Sequence, residues 1–237
     1  PVLIRELRNE RGDVVGEENP WGVSFLRMLD MANDSGLFCT REELEAQGAE
    51  LRQPGNHFVT GEKRWLPLYE GKMFQHYDHR AASVIRNEAN LSRPAQPLLT
   101  TDAQYASGAF SPMPEYWVAE SDVRQRLADR WKHDWLLAFK NVTSATNERT
   151  AIFTVLPISG VGHNAPLLLP VHSATECFPL VANTNSLAFD YATRQMMGGV
   201  NLTYFILEQL PIITPDAYTP EQIEFISSRV LELTYTA

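Results

Sequence analysis

The stretch from Trp135 to Asn164 constrains the fold more than any other part of the chain. It contains two short apolar runs, at 135–139 and 151–156, which are separated by a polar segment and followed by a loop containing two glycines. Apolar runs of this length, bounded by turn formers, are typical of buried strands. The stretch therefore predicts two buried strands on a rigid scaffold whose loops present polar side chains.

The rest of the chain mixes helix and strand signals without a regular alternation. This pattern predicts an α+β fold with a mixed, mostly antiparallel twisted sheet flanked by helices. Thr40 and Thr219 begin capping boxes and so predict helix starts. Further helices are predicted at 21–32, from Ser121 with a buried stripe reaching Trp135, at 174–182 with an interruption at Pro179, and at 187–197. Further strands are predicted at 57–60, 64–69, 116–119, 167–171 and 202–210, and a long loop or hinge at 85–113, with an extended linker from Arg93.

Composition limits the classes of function. The chain has 237 residues, 44% of them hydrophobic, and a net charge of −9. The hydrophobic content supports a packed core, and the acidic total argues against indiscriminate nucleic-acid binding. Two segments, 61–96 and 122–149, have a net positive charge instead, since each carries six basic and four acidic side chains. The basic surplus therefore lies in the same two segments that hold His76, His79, Trp131 and Trp135.

Targeting signals and cysteines indicate the compartment. No apolar run is long enough to cross a bilayer, no signal peptide precedes Arg5, and Cys39 and Cys177 are too few for a disulfide framework. These observations predict a cytoplasmic protein with no membrane contact. The chain begins without Met and ends within a predicted helix, which suggests a piece of a longer protein.

The common catalytic motifs are missing from the sequence. It contains no GxxxxGK[ST] loop, no GxGxxG turn and no GxSxG elbow. The sequence therefore predicts no catalytic residue in this chain.

A polar cluster at 76–80 leaves three interpretations open. His76, Asp78 and His79 are residue types that ligate zinc or iron, which would suit a metal-dependent hydrolase. The same cluster would also suit a solvated turn. In the third interpretation it forms a polar surface that contacts phosphates or base edges.

Three stretches resemble the specificity region of type IIG restriction–modification enzymes, which fuse an adenine-N6 DNA methyltransferase to a target-recognition domain. The first is 19–44, which begins NPWG, and the second is 66–82, which reads LPLYEGKMFQHYDHRAA. The third is 135–215, which ends LVANTNSLAFDYATRQMMGGVNLTYFILEQLPIITP. The last piece, with its Asn-Ser break, aromatic helix and Gly-Gly stop, carries the resemblance most specifically.

The resemblance implies a division of labour within a parent protein. This chain would recognise a sequence in double-stranded DNA and would itself hold no cofactor. A catalytic methyltransferase domain of the same parent chain would flip the adenine and methylate it with S-adenosylmethionine. Residues 1–60 would connect to that catalytic lobe, 61–218 would form the target-recognition domain, and 219–237 would start a truncated C-terminal helix. The competing interpretation is a protein-interaction or docking domain without DNA contact.

Residue type and position within these stretches select the candidate DNA-binding residues. Asn pairs with adenine and Arg with guanine in the major groove, whereas Lys favours phosphate. The candidates are Lys72, His76, His79, Arg80, Lys140, Arg149, His163, Asn164, Arg194 and Asn201. The five cations among them, Lys72, Arg80, Lys140, Arg149 and Arg194, are expected to line one concave face.

Overall fold

The computed structural model describes residues 1–87, 89, 90, 92 and 94–235, and it confirms the α+β class. Arg93, the first residue of the predicted linker, and residues 236 and 237 of the predicted terminal segment lie outside this range. The strands are β1 Arg5–Arg8, β2 Val14–Glu18, β3 Ser24–Leu26, β4 Phe38–Cys39, β5 Glu50–Arg52, β6 His57–Thr60, β7 Lys63–Tyr69, β8 Ala82–Arg86, β9 Ala95–Leu99, β10 Trp117–Ala119, β11 Trp135–Phe139, β12 Phe153–Pro157, β13 Gly160–Val161 and β14 Leu167–Leu169. The helices are α1 Arg41–Ala46, α2 Asp102–Tyr105, α3 Glu120–Leu127, α4 Ala174–Thr184, α5 Leu187–Met196, α6 Tyr204–Glu208 and α7 Pro220–Thr234.

A four-stranded antiparallel sheet with the order β12-β11-β14-β3 lies at the centre of the fold. Its β11–β12 hairpin is the pair of buried strands that the sequence predicts, and Leu137 lies opposite Val155 in it. Alternate residues of β11 enter two different cores. Leu136 and Ala138 pack into one core, while Leu137 and Phe139 pack into the other. Because successive strand residues point to opposite faces, the hairpin is buried on both sides.

A second sheet carries the order β4-β10-β7-β6-β5, and β13 joins β7 in parallel. The predicted glycine loop is therefore partly wrong, since Gly160 and Val161 form a strand. A Cβ at Gly160 would lie 3.2 Å from Leu68 Cδ1, so the absence of a side chain permits this pairing. The predicted boundary at residue 60 falls inside the β6–β7 hairpin, and β3 belongs to the central sheet.

The helix predicted at 21–32 is wrong, because this segment is extended and contributes β3. Asn19 fixes the backbone just before β3, since its Nδ2 donates to the Val23 carbonyl and its Oδ1 accepts from the Val23 N–H. β3 then pairs with β14, with Leu26 opposite Leu167. Tertiary pairing overrides the helical spacing of the apolar residues here.

Three further predictions need correction. The strand predicted at 202–210 is α6, which begins where the Thr203 hydroxyl accepts from the Ile206 N–H. The helix predicted from Ser121, with a buried apolar stripe reaching Trp135, is shorter than predicted. α3 ends at Leu127, and Asp129 then adopts a left-handed backbone conformation with a φ of 62°. The predicted loop at 85–113 contains β9 and α2, and β8 extends into its start.

The remaining helix signals are confirmed. Thr40 and Glu43 form the capping box of α1, and Thr219 and Gln222 form that of α7. α5 begins at the predicted Asn-Ser break. The interruption predicted at Pro179 is wrong, since α4 continues through that residue to Thr184. Cys177 is buried, Cys39 is half-buried, and both are free thiols.

Gly71, two residues after the end of β7, packs too closely on Asn164 to carry a side chain. A Cβ there would lie 2.8 Å from the Asn164 carbonyl oxygen, whereas a Cβ at Gly198 would meet nothing within 4 Å. We expect Gly71→Ala to reduce the free energy of unfolding by about 2 kcal/mol and Gly198→Ala to leave it within about 0.5 kcal/mol. Urea unfolding measures both variants, and equal midpoints would contradict the described contact.

Candidate functional site

A polar cleft lies at the loop end of the β11–β12 hairpin. The connecting loop, 140–152, forms one wall, and the segment after β7 forms the other. The cleft has a volume of about 460 Å³ and is lined by Gln75, His76, Lys140, Val142, Asn147, Glu148, Arg149 and Ile152. Three of the ten predicted DNA-binding residues, His76, Lys140 and Arg149, therefore meet in one place.

Lys140 is the residue of this cleft whose charge is least compensated. It follows β11 directly, and its backbone N–H donates to the Ile152 carbonyl at 3.0 Å. Its ammonium lies 5.8 Å from the centre of the Phe74 ring. Burial lowers the pKa of Lys140 from its ordinary value of 10.5 to about 8. Among the described residues, no acidic side chain pairs with its Nζ, so nothing but the aromatic ring offsets the desolvation.

His76 lies in the opposite wall and is held by one hydrogen bond. Its Nε2 is 2.8 Å from the Ala151 carbonyl oxygen. Since a carbonyl can only accept, Nε2 carries the proton. Burial, followed by the nearby Arg149 cation, lowers the pKa of His76 below its ordinary value of 6.5. The ring is therefore neutral at pH 7, with Nδ1 as a hydrogen-bond acceptor.

Arg149 reaches the cleft from the loop and is anchored at its rear. Its Nη2 donates to the Asn185 carbonyl, and its Nε lies 3.9 Å from Asp190 Oδ1. About a quarter of the side chain is exposed. The Asn185 bond is the one hydrogen bond that the guanidinium forms among the described residues. Its Nε is buried without a hydrogen-bond partner, whereas Nη1 is not among the buried atoms and is free to donate to a ligand.

Helix α5 holds the loop through one buried carboxylate. Asp190 Oδ1 accepts from the backbone N–H groups of Thr150 at 2.7 Å and Ala151 at 2.8 Å, and Oδ2 accepts from Arg194 Nε at 2.8 Å. Arg194 in turn donates to the carbonyls of Ala145, at 3.0 Å, and Glu148. Burial raises the pKa of Asp190, but the Ala151, Arg194 and Thr150 donors together lower it below its ordinary value of 3.8.

Arg194 is therefore placed as a support of the loop, and two other predicted cations also have partners elsewhere. Arg80 is 4% exposed, and its guanidinium donates to the carbonyls of Tyr105, Ser107 and Phe110. Lys72 pairs with Glu70 at 3.0 Å. Of the five cations expected on one concave face, only Lys140 and Arg149 line the cleft.

The remaining predicted residues lie around the cleft or away from it. Asn201 pairs with Val142, one of the lining residues. Asn164 Oδ1 accepts from the Gly71 N–H, and His163 Nδ1 accepts from the Met31 N–H at 3.3 Å. His79 is half-buried, and this burial lowers its pKa.

Sequence reasoning missed Asp190 and part of the cleft lining, and it assigned Arg194 to DNA contact rather than to support of the loop. Asp190 and Arg194 are four residues apart on one helix, which is a recognisable pairing signal. Gln75 and Asn147 line the cleft from within segments that the sequence singled out, but their types alone do not distinguish them from their neighbours.

The metal interpretation of the 76–80 cluster finds no geometric support. The part of the chain that the structure describes contains no group of three His, Cys, Asp or Glu side chains positioned to hold an ion. Asp78 instead accepts from the Tyr105 hydroxyl and from the Arg80 N–H.

Comparisons with protein-family models, curated proteins and solved structures found no match to this chain. Within the described residues, no helix combines the length and the apolar character needed to cross a bilayer.

Replacing Asp190 should loosen the loop. We expect Asp190→Asn to lower the free energy of unfolding by about 3 kcal/mol at pH 7, because an amide cannot satisfy two N–H groups and a guanidinium as a carboxylate does. The folded-state pKa is lowered, so this contribution is present above pH 3.8 and is lost as the pH falls through the folded-state pKa.

Urea unfolding at pH 7 and at low pH measures this loss. Glu45→Gln is the matched control, since it breaks an exposed ion pair with Arg41 and should change stability by no more than about 0.5 kcal/mol. Equal losses in both variants at pH 7 would contradict the role of Asp190.

Removing the charge of Lys140 should stabilise the free protein. We expect Lys140→Met to raise the free energy of unfolding at pH 7 by about 1–3 kcal/mol, because the ammonium is partly desolvated without an acidic partner. The lysine is neutral above pH 8 in the folded state but stays charged to about pH 10.5 when unfolded. The advantage of the variant should therefore shrink as the pH rises from 8 to 10.5.

Urea unfolding at pH 7 and pH 10 tests this prediction. Lys132→Met, at an exposed position, should change stability by no more than about 0.5 kcal/mol at either pH. A destabilised Lys140→Met variant at pH 7 would show that the ammonium has a compensating partner.

Proposed function

We propose that this chain recognises a specific sequence in duplex DNA for an adenine-N6 methyltransferase, and that the cleft at the hairpin end contacts the duplex. The observation that carries the proposal is the half-buried, unpaired ammonium of Lys140 beside Arg149 and His76. The resemblance of 66–82 and 135–215 to type IIG specificity regions supports the same assignment, because these two stretches build the cleft.

The energetics of Lys140 favour an anionic ligand. Holding a cation in a partly desolvated position costs stability, and a protein recovers that cost when an anion enters. A phosphate supplies such an anion, and the planar guanidinium of Arg149 can donate to the same group. Phosphate contacts of this kind fix the position of a protein on a duplex.

The net charge of −9 sets the expected strength of the contact. Only a local cationic site opposes the acidic surface, so the isolated chain should bind random duplexes weakly. In the proposal, the catalytic lobe of the parent protein holds S-adenosylmethionine and supplies much of the phosphate affinity.

Exposed apolar side chains favour docking as a second candidate function. Leu187 and Tyr191 of α5, Phe205 of α6 and Phe225 of α7 are each more than half exposed. Side chains of this size are often covered by a partner protein. Docking against a catalytic lobe is compatible with DNA recognition, whereas docking alone leaves the charge of Lys140 without a role.

Selection from a random duplex library at low salt tests the proposal. The protein should enrich a defined sequence, and fluorescence anisotropy should show that Lys140→Ala binds the enriched duplex about tenfold more weakly, with a salt slope smaller by about 1. Lys132→Ala is the control, because Lys132 is exposed and outside the cleft. Absence of binding by the unmodified protein, or equal losses in both variants, would contradict the proposal.

A further inference from the structure

His76 differs from its two cationic neighbours in what it can bind. The Ala151 carbonyl holds the proton on Nε2, so Nδ1 is left with its lone pair. Nδ1 has no hydrogen-bond partner among the described residues, and it is not one of their buried side-chain atoms that lack a partner. It is therefore an accessible acceptor on a residue that lines the cleft.

The anchor of His76 is itself fixed. The Ala151 N–H donates to Asp190, which α5 holds in place. Two residues further on, the Asn185 side chain accepts from the Phe153 N–H at 3.0 Å and donates to the Phe153 carbonyl at 3.1 Å. The Ala151 carbonyl, which sets the tautomer of His76, therefore belongs to a loop end that the buried side chains of Asp190 and Asn185 hold in place. This arrangement meets the requirement that a recognition group be oriented before the ligand arrives.

A neutral acceptor cannot share the role of Lys140 and Arg149. A phosphate oxygen presents only lone pairs, so it would face the Nδ1 lone pair without a hydrogen bond. A group that carries an N–H would satisfy Nδ1. In the major groove of duplex DNA the donors are the exocyclic amines, N6 of adenine and N4 of cytosine.

We propose that His76 is a specificity-determining residue whose Nδ1 accepts a hydrogen bond from the exocyclic amine of one base, while Lys140 and Arg149 hold nearby phosphate. The inference rests on the proposed DNA recognition and adds the chemical group that is read. It places base readout on the β7 side of the cleft and phosphate contact on the loop side.

Two substitutions separate the two ring nitrogens of His76. The amide of His76→Gln reaches the position of Nε2 and can donate to Ala151, but it leaves no acceptor at the position of Nδ1. The amide of His76→Asn places an acceptor near the position of Nδ1 and loses the anchor. The readout is the ratio of affinities for the selected duplex and a scrambled duplex of the same composition.

We expect His76→Gln to lower this ratio about tenfold, the discrimination that one base contact provides, and His76→Asn to restore most of it. Retention of the full ratio by His76→Gln would overturn the inference. Equal loss in both variants would also overturn it, since it would show that an acceptor near the position of Nδ1 makes no difference to the ratio. If the unmodified protein selects no sequence, the proposed function itself fails, which is a different result.

A change in the DNA tests the same contact with the unmodified protein. The amine is removed from the selected base, with purine in place of adenine or pyrimidin-2-one in place of cytosine. We expect the unmodified protein to bind the altered duplex about tenfold more weakly than the selected duplex. His76→Gln should bind the two duplexes with nearly equal affinity, because the variant has already lost the contact that the amine makes. Independent, multiplicative losses would contradict the inference.

Discussion

The burial of the β11–β12 hairpin on both of its faces is the constraint on which the rest of the structure depends. Leu136 and Ala138 enter one core, and Leu137 and Phe139 enter the other, so the two cores meet across this strand. A one-residue shift of register would move each set of apolar side chains into the opposite core, where the close packing does not fit it. The point at which the chain leaves the sheet is therefore fixed, and Lys140 occupies that point.

The loop that follows is polar and would be mobile without support from α5. Asp190 accepts two backbone N–H groups from the loop end, and Arg194 donates to two carbonyls within the loop. These bonds turn a polar segment into a defined wall that presents Arg149 to the cleft. The site therefore combines a cation placed by the sheet with a cation placed by a helix.

The sequence predicted those parts of the fold that local signals determine. The two buried strands and the capping boxes at Thr40 and Thr219 have short-range causes, and they are confirmed. The segment 21–32 was mispredicted because its conformation depends on pairing with β14, far along the chain. The prediction of the site residues had the same limit, because residue type alone does not distinguish Arg149 from Arg80. Arg149 reaches the cleft, whereas the Arg80 guanidinium donates to three backbone carbonyls.

Lysine footprinting can detect a contact between the cleft and DNA at a single side chain, because the chain contains only four lysines, Lys63, Lys72, Lys132 and Lys140. The protein is treated with an amine-reactive reagent with and without the selected duplex, and modification is quantified by mass spectrometry. If the cleft contacts DNA, the duplex protects Lys140, while Lys63 and Lys132, which are exposed and outside the cleft, react equally in both samples. Modification of Lys140 that is unchanged by bound duplex would contradict the assignment of the cleft to DNA.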